Sequence, residues 1–199
     1  MNANGSLKVD IMNQLTVYTG PMWGGKTSRM LLEVEKHRHG GREVHAFKPA
    51  VDNRYASEEI VTHMGWSIPA VCVKTGLDIE AHMLENAKDL NNSLIVVDEL
   101  FMLENVTDTL IWFYKRGVDV VVATLDLSYA CKPFPEVLKI LPWATRVEKC
   151  PSACSVCGQD AFYTYRKVDD VVADDGIAVG GKESYEPRCR KHHPCLEDA

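Results

Sequence analysis

Residues 20–28 read GPMWGGKTS, and no other stretch of this chain restricts its fold so tightly. A short β-leaning run, Leu15–Thr19, precedes it, and a segment with helical periodicity follows. Gly20, Pro21, Met22, Trp23, Gly24, Gly25, Lys26 and Thr27 fit G-x-x-x-x-G-K-[ST] without a mismatch. Glycines let backbone N–H groups turn inward around phosphate oxygens, and the helix that follows adds the positive end of its dipole. In such a loop Lys26 would bridge the β- and γ-phosphates and Thr27 would offer its hydroxyl to Mg²⁺. A chance glycine-rich turn needs neither the strand before it nor the helix after it. The chain must therefore supply a strand that opens onto a helix N-terminus.

The surrounding pattern suits that demand. Residues 43–48, 94–98 and 118–124 are nearly continuous apolar or β-branched runs, as expected for strands buried on both faces of a parallel sheet. Between them, Met30, Leu31 and Val34 share one helical face that ends near Gly40-Gly41. Ile79, Met83 (or Leu84), Ala87 and Leu90 do the same for a second helix. A third is expected over 105–116, with Gly117 as its cap. Strand and helix in alternation mean an α/β core. The reading is a parallel sheet of the phosphate-loop NTPase type over 15–150, after a flexible N-terminus at 1–14. A small zinc-binding lid subdomain over 151–195 and a tail at 196–199 complete it.

A phosphate loop needs a second element for magnesium, and Leu94-Ile95-Val96-Val97-Asp98-Glu99 offers one. It is a buried strand ending in two acids: Asp98 would reach the metal through water, and Glu99 would accept a proton. Taken alone, the pair would equally suit solvated carboxylates at a strand end. The seven cysteines make a simple disulfide framework a poor fit, because the number is odd. Cys154-x-x-Cys157 and Cys189-x-x-His192 instead supply the four soft ligands of a closed, structural zinc site. Cys150, His193 and Cys195 stand close enough in sequence to substitute for one of them. The balance of 22 Lys plus Arg against 28 Asp plus Glu, a net charge of −6, speaks against a nucleic-acid-coating protein. No twenty-residue apolar run is present, so no membrane partner is expected. Residues 1–6 are polar and lack a secretory apolar stretch, so a cytoplasmic location is expected.

Together these pieces resemble the type-II, zinc-containing thymidine kinases, over most of the chain from about residue 15 to 193. Gly20-Pro21-Met22-Trp23 and Gly25-Lys26 are similar to that family's G-P-M-[FW]-x-G-K loop. Asp52-Asn53-Arg54-Tyr55, followed by Thr62-His63, is similar to its D-x-R-Y segment. Leu125-Asp126-Leu127-Ser128-Tyr129 and Lys132-Pro133-Phe134 resemble its L-D-G-x-[FY] and K-P-F elements. Gly180-Gly181, Tyr185, Cys189 and His192 resemble its lid and second zinc knuckle. The resemblance implies transfer of the ATP γ-phosphoryl group to the 5′-hydroxyl of thymidine with Mg²⁺, and a structural Zn²⁺. Glu99 would be the general base, Asp52 and Arg54 would belong to the phosphate site, and Asp98 and Thr27 would organise magnesium. Met22, Leu125, Tyr129, Phe134, Thr164 and Tyr185 would surround the nucleoside. The lid backbone at Gly176, Ile177, Ala178, Val179 and Gly180 would read the thymine edge. The family further implies a homotetramer and feedback inhibition by dTTP.

Two departures bear on nucleoside specificity. Leu100 and Phe101 follow Asp98-Glu99 where the family has a small residue, a glutamine and an aromatic, and Leu127 replaces a glycine. A kinase for another nucleoside is thus one alternative. A phosphate-loop ATPase acting on nucleic acid, gripping it with a zinc ribbon, is a second. The acidic balance and the absence of a basic, aromatic-studded stripe weigh against the latter.

Overall fold

The computed structural model describes residues 13–51, 58–167 and 180–196. Six strands form one parallel sheet: β1 (Leu15–Thr19), β2 (Glu43–Pro49), β5 (Val71–Val73), β6 (Ser93–Val97), β7 (Asp119–Thr124) and β8 (Arg146–Lys149). Their order across the sheet is β5-β2-β6-β7-β1-β8, so the loop-bearing β1 sits between β7 and β8. Every residue of β1, β6 and β7 is buried, which explains why these strands read as unbroken apolar runs rather than alternating ones.

Alternation along the strands divides the core in two. Leu15, Val17, Ile95, Val97, Val120 and Val122 face Phe113, Leu110, Met83 and Ile79. These come from α2 (Gly76–Asn86) and α3 (Val106–Tyr114), with α4 (Pro135–Ile140) alongside. Tyr18, Leu94, Val96, Val121 and Ala123 face the other way, onto Met30, Leu31 and Val34 of α1 (Lys26–His39). Each fully buried aliphatic side chain is worth about 1.5–3 kcal/mol relative to exposure. Both faces of the sheet are thus anchored independently. A hairpin of β3 (Glu59–Val61) and β4 (Ser67–Pro69) lies on the α1 side, where Ile60 and Ile68 join the core.

The sequence pattern misplaces some boundaries. The second helix ends at Asn86, and Ala87 is already extended. Leu90 sits in a separate 3₁₀ turn yet still packs on the core, so the helical spacing continued past the helix. Met83 is buried on the shared face and Leu84 is exposed. The third helix ends at Tyr114 with Lys115 as its cap, short of the expected 116, and Gly117 at φ +91° closes the turn that follows, its N–H donating to the Tyr114 carbonyl. Beyond the sheet, β9 (Ser152–Ala153) pairs with β10 (Asp160–Ala161), and β11 (Tyr163–Arg166) with β12 (Tyr185–Arg188), both antiparallel. The run 161–165 is therefore two strands divided at Phe162, not one.

Candidate active site

The phosphate loop leaves the carboxyl end of β1, where open α/β sheets place their ligands. Two of its glycines are there for packing. A Cβ on Gly20 would lie 2.4 Å from the Cys150 carbonyl oxygen, and one on Gly24 would lie 2.6 Å from the same atom. The backbone beyond β8 thus presses directly on the loop. Gly25 meets no neighbour, but its φ of +74° turns the chain into α1. Trp23 also takes the left-handed region, at φ +61°. Cys150 is fully buried in this contact, away from the other cysteines of the C-terminal module.

Lys26 is buried and donates to the Pro21 carbonyl across the loop at 2.7 Å. Burial lowers its pKa, while the Glu99 and Asp98 carboxylates pull it back up. Thr27 Oγ1 donates to the two Asp98 oxygens at 3.2 and 3.3 Å. The hydroxyl and carboxylate form a pair of hard oxygen donors, the set that suits magnesium. Asp98 directly follows β6, one strand removed from β1, and Glu99 follows in the left-handed region at φ +51°. Such backbone strain in a bulky residue persists only where the surroundings hold it.

Two clefts open here. The first, of about 560 Å³, is lined by Trp23, Gly25, Lys26, Thr27 and Ser28 with Thr62 and His63 from the β3–β4 turn. The second, of about 400 Å³, is lined by Leu125, Ser128, Tyr129, Phe134, Thr164, Gly180 and Tyr185, with Phe101 and Met102. Met22 and Glu99 line both. Gly20, Pro21 and Gly24 shape the loop from behind rather than lining either cleft. Asp52, Arg54, Gly176, Ile177, Ala178 and Val179 lie outside the described residues.

Met102 and Ser128 in the second cleft, and Ser28 and Val61 in the first, are lining residues to which the sequence pattern assigns no role. Phe101, a departure in the sequence, is a wall of the second cleft. The Phe101 ring packs on Phe134 at 4.6 Å between centroids, giving the second cleft an apolar wall. Leu100, beside it, is fully buried in the core. Leu127 bridges to Pro133 and lines neither cleft. A hydrogen bond from the Met22 N–H to Thr164 Oγ1 at 3.1 Å ties the two clefts to the C-terminal module.

Cys154, Cys157, Cys189 and His192 bring one ligand atom each within 4.8 Å of all the others. Cys154 Sγ lies 3.7 Å from His192 Nδ1, and Cys157 Sγ lies 3.8 Å from Cys189 Sγ. Tetrahedral zinc at normal bond lengths sets its ligands about 3.5–3.8 Å apart. Burial opposes ionisation of Cys154, but N–H groups of Cys189, Val156 and Cys157, with His192, lower its thiol to about 6. A thiolate prepared in this way fits a soft cation. The cluster therefore selects His192 over His193, and it leaves Cys150 and Cys195 out.

Comparison with known proteins agrees with this geometry. A family model described as thymidine kinase matches residues 13–193. The chain is also 35% identical to the thymidine kinase of Thermococcus kodakarensis, over 90% of this chain and 93% of that protein.

Proposed function

The chain belongs to the thymidine kinase family, and on that premise we propose how its own residues perform the transfer. The protein is an ATP-dependent kinase that phosphorylates thymidine, giving dTMP and ADP, a step of nucleotide salvage. ATP phosphates occupy the cleft of Lys26 and Thr27, and thymidine occupies the cleft of Tyr129, Phe134 and Tyr185. The observation that carries this division is that, among the described residues, Met22 and Glu99 alone line both clefts.

A phosphoryl group passing from one cleft to the other must pass Glu99. The thymidine 5′-oxygen forms its bond to the γ-phosphorus as the bond to the β-bridging oxygen breaks. The hydroxyl proton, acidic only as that bond forms, goes to the Glu99 carboxylate. Lys26, the loop N–H groups and Arg54 stabilise the charge on the transferring oxygens. Magnesium accompanying ATP supplies further charge neutralisation, and Thr27 with Asp98 would hold it. Phe101 and Phe134, packed on each other, form an apolar wall for the base, while its hydrogen-bonding edge falls to the lid backbone at 176–180. Thymine offers two acceptors flanking one donor, so a fixed backbone pattern leaves cytosine with unpaired groups.

Residues 15–150 are read as the nucleotide-binding unit and 151–195 as the lid, with zinc on Cys154, Cys157, Cys189 and His192 as its staple. Homotetramer assembly, inhibition by dTTP and a cytoplasmic location belong to the same proposal on the strength of the family. Among the described residues, no helix is long and apolar enough to cross a membrane.

The test is Glu99→Gln, which keeps the shape and removes the base. Turnover is expected to fall by about 10²–10⁴-fold, with thymidine and ATP still binding. A variant with near-normal kcat would show that the proton leaves by another route.

A further inference from the structure

A second group of soft ligands lies outside the four-residue cluster. Cys131, His193 and Cys195 also bring one ligand atom each within 4.8 Å of the other two. Neither the phosphate loop nor the nucleoside cleft uses them. We propose that Cys131, His193 and Cys195 form a second metal site, for a thiophilic d¹⁰ cation of the zinc class.

The geometry around His193 carries the argument. Its side chain is 1% exposed, and Nε2 lies 3.2 Å from the Thr164 carbonyl oxygen. A carbonyl only accepts, so Nε2 carries the proton and donates. Nδ1 is then left with its lone pair, and it faces Cys131 Sγ at 3.6 Å. A ring nitrogen oriented by a backbone carbonyl on the opposite side is how proteins aim histidine at a metal. Sulfur and nitrogen ligands of one tetrahedral zinc stand about 3.5 Å apart, which matches that separation. Two thiolates and a neutral imidazole would balance the charge of a divalent cation, releasing two thiol protons on binding. The fourth position would be left to water.

Cys131 sits where the backbone disfavours it. Its φ is +57°, at the tip of the turn bridged by Leu127 and Pro133. Glycine or asparagine would take that conformation more readily, so a cysteine there points to a use for its side chain. The turn also carries Ser128 and Tyr129 of the nucleoside cleft, and Thr164 lines the same cleft. A metal on Cys131, His193 and Cys195 would clasp the nucleoside-facing turn to the end of the described chain. The competing fate of the same atoms is a Cys131–Cys195 disulfide, which a metal would suppress.

The experiment loads the reduced full-length protein with Zn²⁺ under anaerobic conditions, removes loosely held ion by gel filtration, and counts zinc per chain. Two are expected in the wild type and one in Cys195→Ser, whose replaced side chain is exposed and outside the core. Cobalt loading gives a second readout: Cys131→Ser and Cys195→Ser should each lose part of the thiolate-to-cobalt absorption and keep the remainder. A wild type holding a single zinc that Cys195→Ser retains in full would overturn the site. So would two zincs in both proteins, or reduced protein that takes up no second ion while its oxidised form carries a Cys131–Cys195 disulfide.

Discussion

The phosphate end and the nucleoside end of the active site are held by different means. The loop from Gly20 to Thr27 is one continuous stretch, fixed by β1 behind it, α1 ahead of it and the Cys150 carbonyl against its glycines. The nucleoside cleft is assembled from separate stretches: Met22, the turn after Glu99, the residues from Leu125 to Phe134, Thr164, and Gly180 with Tyr185. Two of these stretches belong to the C-terminal module, whose paired strands are only two to four residues long. A hydrophobic core supports the first end. The second joins core residues, Phe101 and Phe134, to two stretches that sheet packing does not hold, and the zinc proposed on Cys154, Cys157, Cys189 and His192 would supply their cross-links.

The largest expected effect comes from removing those cross-links. Zinc binding in small fingers is worth about 10–16 kcal/mol of folding free energy at neutral pH, far more than any single contact here. Chelation, or Cys154→Ala, should release β11 and β12 while β1, β6 and β7 stay folded. Amide hydrogen exchange would read this directly, as lost protection at 163–166 and 185–188 with the central strands unchanged. Equal loss in both regions would erase the distinction between the two ends.

That difference also explains what was legible in the sequence. The phosphate loop, the Asp98-Glu99 strand end and the paired Cys/His knuckles are local spacings, and local chemistry dictates each. That Phe101 and Met102 wall the cleft was not legible, because an apolar pair after a buried strand has the same pattern whether it fills a core or lines a cleft. Nor was the pressure of Cys150 on Gly20 and Gly24, since it joins residues far apart in sequence. The choice of His192 over His193 was likewise open until the fold turned one ring toward Cys154 and the other toward Cys131. Leu90 misled by keeping helical spacing after the helix had stopped.

Gly24→Ala tests the phosphate end. The added methyl would meet a backbone oxygen, which cannot rotate aside as a side chain can, so the loop or β8 must shift. Overpacking of this kind costs about 1–3 kcal/mol, and misplacing the loop should weaken ATP binding as well. A raised KM for ATP with an unchanged KM for thymidine would keep the two ends separate. A thymidine defect of equal size would join them.

Phe101→Leu probes the other end more gently. It retains an apolar side chain but removes the ring that packs on Phe134, an aromatic pair worth about 0.5–1.5 kcal/mol beyond its buried area. The KM for thymidine should rise by roughly 2- to 10-fold, with the KM for ATP unmoved. A shift confined to ATP would mean that the cleft has been assigned to the wrong substrate.

The smallest effect concerns how the core resists acid. Glu136, in α4, accepts from the Thr107 N–H at 2.8 Å and pairs with Lys139 at 2.7 Å, tying the start of α3 to α4. Burial works against its ionisation, yet the Lys139 ammonium and the Thr107 N–H hold its pKa below the ordinary carboxylate value. A depressed folded pKa contributes stability that is fully present above the unfolded value, about 4.3, and is lost as pH falls through the folded one. Glu136→Gln keeps an oxygen acceptor for Thr107 and removes the charge, so it should cost about 0.5–1 kcal/mol at neutral pH. Urea unfolding of wild type and variant, followed through the central sheet, should differ at pH 7 and converge as the pH drops below about 4. A gap that persisted undiminished at pH 3 would assign the loss to packing instead of charge. Because Glu136 belongs to the sheet-supported end, the gap should also be the same with the zinc ligands intact or with Cys154 replaced.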